Sequence, residues 1–286
     1  MKKIVVTGAT GQLGSELKAL SEKYTQYEWF FADRTQALLD NLDALKMQLE
    51  NIQPNVILNC AAYTAVDRAE AEPELAQMIN DVAVGVIAKY ADEHQVKLIH
   101  ISTDYVFDGI SSFALTEEAF TKPINVYGAT KRAGELSCLK INPDAIIIRT
   151  SWVYSKFRNN FVKTMQRLLQ ERDTISVVND QIGSPTYAAD LAQAMMDIVT
   201  AKEWIAGIYN YSNEGEISWY EFVLAIQEIG GYSCKVNGIS SSAYPTAAKR
   251  PAFSLLDKSK IKEVYSITVP HYKDSLRKCM QLLSSE

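Results

Sequence analysis

Apolar and polar positions follow two rhythms over the first half of the chain. Short, almost unbroken apolar runs such as Ile4-Val5-Val6, Val56-Ile57-Leu58 and Ile146-Ile147-Ile148 are separated by longer stretches with apolar residues three and four apart. The first rhythm marks strands buried on both faces, the second amphipathic helices. Strands are predicted at 3–7, 28–32, 55–59, 96–102 and 145–150, and helices at 12–23, 42–50, 74–94 and 125–139. Such alternation gives an α/β chain whose parallel strands are joined by right-handed crossovers. The expected class is a Rossmann-type doubly wound parallel sheet.

After Trp152 the pattern loosens. A helix is predicted at 160–170, a strand at 174–178, a helix at 187–199, a strand at 207–211 placed to return to the main sheet, and a last helix from about His271. The expected division is a dinucleotide-binding domain over 1–152, with a returning segment near 186–212. A smaller C-terminal substrate-binding lobe takes 153–185 and 213–286.

Composition narrows the function. In 286 residues, 47% are hydrophobic and 22% charged, as in ordinary globular proteins. A net charge of −5 argues against a general nucleic-acid binder, which needs a basic surface. No apolar stretch reaches membrane-spanning length, and Thr7-Gly8-Ala9-Thr10-Gly11 interrupts the N-terminal apolar run too early for a signal peptide. No membrane partner is expected, and the expected location is cytoplasmic. The cysteines Cys60, Cys138, Cys234 and Cys279 and the histidines His94, His100 and His271 show no metal-ligand spacing. Cys60 and Cys138 read as core fillers and His100 as a satisfied, half-buried imidazole. No metal is predicted.

The chemistry gathers beyond the carboxyl ends of the strands, where open α/β sheets bind ligands. Gly8, Gly11 and Gly14 follow the first strand and open a helix, an arrangement that brings backbone N–H groups to a pyrophosphate. Asp33, after the second strand, suits an adenosine ribose and favours NADH; Arg34 beside it leaves NADPH open. Tyr127 and Lys131, four apart, share a helix face. A phenol is a poor acid at neutral pH, and a neighbouring ammonium would lower its pKa. Gly128 and Gly134 weaken that helix, which implies close packing by a ligand or by another element. At the end of the fourth strand Thr103 or Ser102 could polarise a carbonyl; the pattern does not choose between them. Together these residues read as nicotinamide-dependent redox chemistry at a carbonyl.

The glycine-rich turn and the Tyr-x-x-x-Lys pair resemble the extended short-chain dehydrogenase/reductases. GATGQLGSEL, NCAAYTAVDRAEAEP, ISTDYVFDG, NVYGATKRAGE, RTSWVY with NNFVKTM, and DQIGSPTYAADLA resemble, more narrowly, the dTDP-4-dehydrorhamnose reductase family. The resemblance implies reduction of dTDP-4-dehydro-L-rhamnose with NADPH or NADH. It implies Thr103, Tyr127 and Lys131 as the catalytic set. Cofactor contacts implied are Gly11, Gln12, Leu13, Asp33, Asp40, Ala62, Tyr63, Thr64, Tyr127 and Lys131, beside Gly8 and Gly14 from the turn itself. Thr103, Asp104 and Trp152 would meet the dTDP-sugar, and Arg250 is the candidate for its diphosphate because guanidinium suits bidentate phosphate contact. Some members hold Mg2+ through acids at a homodimer contact, where Glu16 and Asp190 are the counterparts.

Two rivals stand beside the reductase. A sugar-nucleotide dehydratase or epimerase is disfavoured because Asp104-Tyr105, not an Asp-Glu pair, follows Thr103. A non-catalytic regulatory subunit of methionine adenosyltransferase is similar to the same family, but the intact Thr103, Tyr127 and Lys131 set favours an enzyme.

Overall fold

A computed structural model of the chain describes residues 1–33 and 39–284, so Arg34 lies outside the described residues. Its centre is a six-stranded, all-parallel sheet: β1 (Lys2–Thr7), β2 (Tyr27–Ala32), β3 (Val56–Asn59), β4 (Lys97–Thr103), β5 (Ile146–Thr150) and β6 (Gly207–Asn210). The spatial order is β6-β5-β4-β3-β1-β2. The chain therefore leaves β1 toward one edge and, after β2, returns to build the other side. The gap between β1 and β3 is the switch point at which such sheets bind ligands.

Successive strand residues point to opposite faces, so both faces are apolar. On one, Ile4, Val6, Leu58, Ile99, Ile146 and Ile148 pack with α1 (Gln12–Leu20) and a later helix, Ala188–Thr200. On the other, Ala32, Ile57, Leu98 and Ile147 meet α2 (Leu42–Ile52), α3 (Ala83–Glu93) and α4 (Val126–Ile141). The doubly wound architecture expected from the apolar rhythm is present, and the strand near 207 does rejoin the sheet beside β5. A separate apolar cluster, including Tyr154, Val162, Phe222 and Leu276, is built from helices Phe161–Glu171, Trp219–Gly230 and Tyr272–Leu283. These surround a parallel pair, Thr174–Val178 with Lys235–Ile239.

Several elements depart from the sequence reading, among them strand Lys235–Ile239 and helix Ser259–Tyr265, which it lacks. The helix expected over 74–94 is three pieces: Pro73–Gln77, a π-helical turn at Met78–Val82, and α3. The wider turn admits the buried Asn80 side chain to a loop it would otherwise miss. Helix Trp219–Gly230 was not anticipated, although Ser218 and Glu221 form a capping box at its start, a pattern visible in sequence.

α4 lies unusually close to its neighbours. A Cβ on Gly128 would sit 2.1 Å from the Tyr105 carbonyl oxygen, and one on Gly134 would sit 2.0 Å from that of Asn80. Of the two readings left open for these glycines, protein backbone rather than ligand is what packs against them. Glu135 accepts from Arg149 through both carboxylate oxygens, each at 2.8 Å, and fastens α4 to β5.

Gly134→Ala gains about 1 kcal/mol of helix propensity but forces backbone apart in a packed interior, at about 1–3 kcal/mol. The thermal midpoint is therefore expected to fall; an unchanged or higher midpoint would contradict this packing.

Candidate active site

Beyond the carboxyl ends of β1, β3, β4 and β5 lies a cleft of about 840 Å³. It is lined by Gly8, Gly11, Gln12, Leu13 and Gly14 from the first turn, by Asp33 and Asp40, and by Ala62, Tyr63 and Thr64 after β3. Thr103, Asp104, Tyr127, Lys131 and Trp152 complete the set named from sequence. Arg250 is not in that lining. It donates to both carboxylate oxygens of Asp67, at 2.9 and 2.7 Å, and to the Ala248 carbonyl at 2.7 Å. Its guanidinium ties the 248–250 segment to the Val66–Ala69 turn, and the structure does not bring it to the other site residues.

The first turn is shaped to admit a phosphate. Gly8 has φ +67°, and a Cβ there would lie 2.8 Å from the Ala61 backbone; one on Gly14 would lie 2.3 Å from the Gly8 carbonyl oxygen. These glycines let β1, α1 and the loop after β3 meet at one point. Gly11 caps α1 without a side-chain hydrogen bond, so the first N–H groups of the helix face the cleft without a side-chain acceptor. Arg158, with φ +60°, donates to the Thr10 carbonyl and also lines the cleft.

Three buried polar atoms in this lining have no protein partner: Gln12 Oε1, Ser102 Oγ and Asp104 Oδ2. Buried polar groups in native proteins are almost always satisfied. Orphans gathered around one cleft, with an open helix N-terminus, fit a dinucleotide and a polar substrate. The acids suggested for Mg2+ do not fit a metal. Glu16 Oε1 accepts from Ser155 Oγ at 2.6 Å, while Asp190 Oδ2 accepts from Asn213 Nδ2 at 2.8 Å and from the Ser275 hydroxyl. Protein donors thus engage one oxygen of each carboxylate, and among the described residues no three His, Cys, Asp or Glu side chains gather as a metal would need.

At the reacting end, the Thr103 hydroxyl lies beside Tyr127. It donates to Asp104 Oδ1 at 3.1 Å and accepts from the Tyr105 N–H at 3.2 Å. Burial dominates at Tyr127, where it pushes the phenol up to about 12. Burial also raises the Asp104 carboxyl to about 6, against the nearby Ser254 and Thr103 hydroxyls. The Lys131 ammonium is pulled down to about 8, again mainly by burial. The expectation that Lys131 lowers the Tyr127 pKa is not met here. Its Nζ turns to the Ile101 carbonyl at 2.7 Å and to His100 Nε2 at 3.3 Å, and Tyr127 feels burial more than any cation.

Sequence reasoning missed two supports. Trp219 stacks on Trp152 with centroids 3.7 Å apart and planes 13° apart, extending the aromatic wall of the cleft. Nothing around position 219 singles it out in sequence. Asn80 accepts from the Tyr63 N–H at 2.8 Å and donates to the Tyr63 carbonyl and to Thr130 Oγ1, each at 3.1 Å. A buried Asn on a helical face was the available signal; the π turn that aims it was not.

The RmlD substrate binding domain family model matches residues 1–285. The chain belongs to that family. An RmlD relative from Aggregatibacter actinomycetemcomitans, a dTDP-4-dehydrorhamnose reductase, is 39% identical over 97% of this chain and 98% of its own. Of solved structures, a dTDP-4-dehydrorhamnose reductase from Clostridium acetobutylicum superposes with TM-score 0.94 at 36% identity, covering 99% of both chains. Another from Bacillus anthracis, solved in complex with NADP, superposes with TM-score 0.93 at 37% identity, covering 99% of this chain and 100% of its own.

Asn80→Ala removes three hydrogen bonds and leaves the part-buried Tyr63 N–H without its side-chain acceptor, at about 1 kcal/mol for each bond lost. NADPH affinity is expected to drop several-fold, with a lower thermal midpoint, as measured by fluorescence titration and thermal melting. Unchanged affinity would separate Asn80 from the cleft.

Proposed function

We propose that this RmlD-family chain reduces the 4-keto group of dTDP-4-dehydro-L-rhamnose (dTDP-6-deoxy-L-lyxo-4-hexulose) to dTDP-L-rhamnose, using NADPH or NADH. The convergence of Thr103, Tyr127 and Lys131 at one end of a cleft with an uncapped helix N-terminus carries this reading. Full-length similarity to reductases of that name supports it. The four cysteines are free thiols, in keeping with a reducing cytoplasm.

The cofactor supplies the hydride, and the protein supplies position and charge. Gly11, Gln12 and the α1 N-terminus take the pyrophosphate, and Asp33 the adenosine ribose. Trp152 and Trp219 offer an apolar wall to the sugar, while Asp104 accepts from a ring hydroxyl. Tyr127 delivers a proton to the carbonyl oxygen as it becomes an alkoxide. A phenol near 12 remains protonated at neutral pH, and an alkoxide is a far stronger base than a phenolate, so the transfer runs downhill. Thr103 hydrogen-bonds the same oxygen. Lys131 would hold the nicotinamide ribose, where its charge would help Tyr127 release its proton.

In this reading the cofactor-binding part is 1–152 with the returning segment near 186–212, and the lobe of 153–185 and 213–286 holds the sugar nucleotide. Coupling the purified chain to the preceding epimerase, following NAD(P)H loss and analysing the sugar tests the assignment. Equal reduction without the epimerase, or a product other than dTDP-L-rhamnose, overturns it.

Tyr127→Phe is expected to retain cofactor binding and lose at least about a hundredfold in turnover, the lower end for a missing general acid. Near-normal turnover would remove Tyr127 from the mechanism. The pH profile of kcat/KM should fall below about 6, as Asp104 takes up a proton, and above about 8, as Lys131 loses one. Tyr127 stays protonated across that range, so a limb set by the phenol is not expected. A flat profile from 7 to 10 would contradict the role given to Lys131.

A further inference from the structure

Beneath the cleft a line of buried polar side chains crosses three strands. Thr7 of β1 pairs in register with Asn59 of β3, and Asn59 with His100 of β4, so all three point to the face that α4 covers. All are essentially inaccessible, as is Lys131. The side chains touch in sequence: Thr7 Oγ1 to Asn59 Oδ1 at 2.6 Å, Asn59 Nδ2 to His100 Nδ1 at 2.9 Å, and His100 Nε2 to Lys131 Nζ at 3.3 Å.

The Ala61 end of the line favours one direction for each hydrogen bond. The Ala61 backbone N–H can only donate, and it does so to Thr7 Oγ1 at 3.2 Å. The Thr7 hydroxyl is then free to donate to Asn59 Oδ1, which turns the amide nitrogen to His100. Nδ1 of His100 must accept, so its one hydrogen sits on Nε2. That N–H points at Lys131 Nζ. Turning Asn59 over would give Thr7 two donors and no acceptor, which the anchored Ala61 N–H disfavours.

We infer that His100, its tautomer set by Asn59 and Thr7, is a positioning residue that presents an N–H to Lys131 and favours the neutral amine over the ammonium. An ammonium has only donors and gains nothing from a second N–H, whereas an amine lone pair accepts it. Of the other groups facing Lys131, Glu135 favours the ammonium most, and burial outweighs it. The Cys60 and Cys138 thiols are held protonated by burial, and the Glu135 carboxylate is engaged by Arg149 and Arg132. Burial lowers both Lys131 and His100 in the same direction. The device makes Lys131 a ready proton donor: once its proton has gone toward Tyr127, the remaining amine already has a hydrogen-bond donor waiting. This rests on the role proposed above for Lys131 at the cofactor ribose.

The test begins with 15N-histidine labelling, which reports only His94, His100 and His271. The His100 signals, assigned by their loss in His100→Gln, should show a pyridine-like Nδ1 and a pyrrole-like Nε2 that do not titrate within about one pH unit of neutrality. N59D places an acceptor opposite Nδ1 and should invert the pattern. It should also raise the pH at which NADPH binding weakens by about one unit, a tenfold change in the ammonium-to-amine ratio. Thr7→Val, which frees Asn59 to turn, should mix the two tautomers, and it serves if N59D does not fold. A pyrrole-like Nδ1 or an imidazolium in the unsubstituted protein overturns the inference. So does an unmoved NADPH profile once the tautomer has changed. NADPH binding needs no sugar substrate, so failure of the dTDP-sugar assignment would be seen separately, as NADPH binding without turnover.

Discussion

The close approach of α4 to the backbone around it is the constraint on which the site depends. Two glycines remove the side chains that would hold the helix off the Tyr105 and Asn80 carbonyls, and the buried Arg149–Glu135 pair fixes it along its length. A buried charge pair contributes little net stability once desolvation is counted, but breaking one partner is costly. Its value here is geometric. With α4 pinned at that depth, Tyr127 and Lys131 reach the end of β4, where Thr103 waits. A helix standing a few ångströms further out would hold Tyr127 away from Thr103 and Lys131 away from the Ile101 carbonyl.

Much of this was legible in the residues. The unbroken apolar triplets could only be strands covered on both faces, and the strand–turn–helix at Gly8 to Gly14 located the ligand end of the sheet. The i, i+4 spacing placed Tyr127 and Lys131 on one helix face. What could not be read depended on distance through space. The π turn at Met78–Val82 leaves the apolar rhythm intact while rotating Asn80 toward Tyr63. Arg250 is drawn to Asp67, 183 positions away in sequence, a pairing for which no local pattern exists. Gly128 and Gly134 announced a close neighbour, but which neighbour only the fold could say.

The same depth sets the charge states, because burial outweighs every other influence on these groups. It keeps the Tyr127 phenol protonated, raises Asp104 to about 6 and lowers Lys131 to about 8, which leaves the last two charged at neutral pH by only a narrow margin. Lys131 resting on the Ile101 carbonyl and against His100 is the clearest instance. Its cation does little for Tyr127 until something draws it across. The binding of a dinucleotide and the activation of the acid are, on this account, a single event.

The central claim is transfer of hydride to sugar C4 within this cleft. Turnover with NADPH deuterated at both nicotinamide C4 positions, followed by mass and NMR analysis of the product, tests it most directly. The account predicts one deuterium per sugar, bonded to C4 and retained in dTDP-L-rhamnose. Label at another carbon, or a product that carries none, would contradict it.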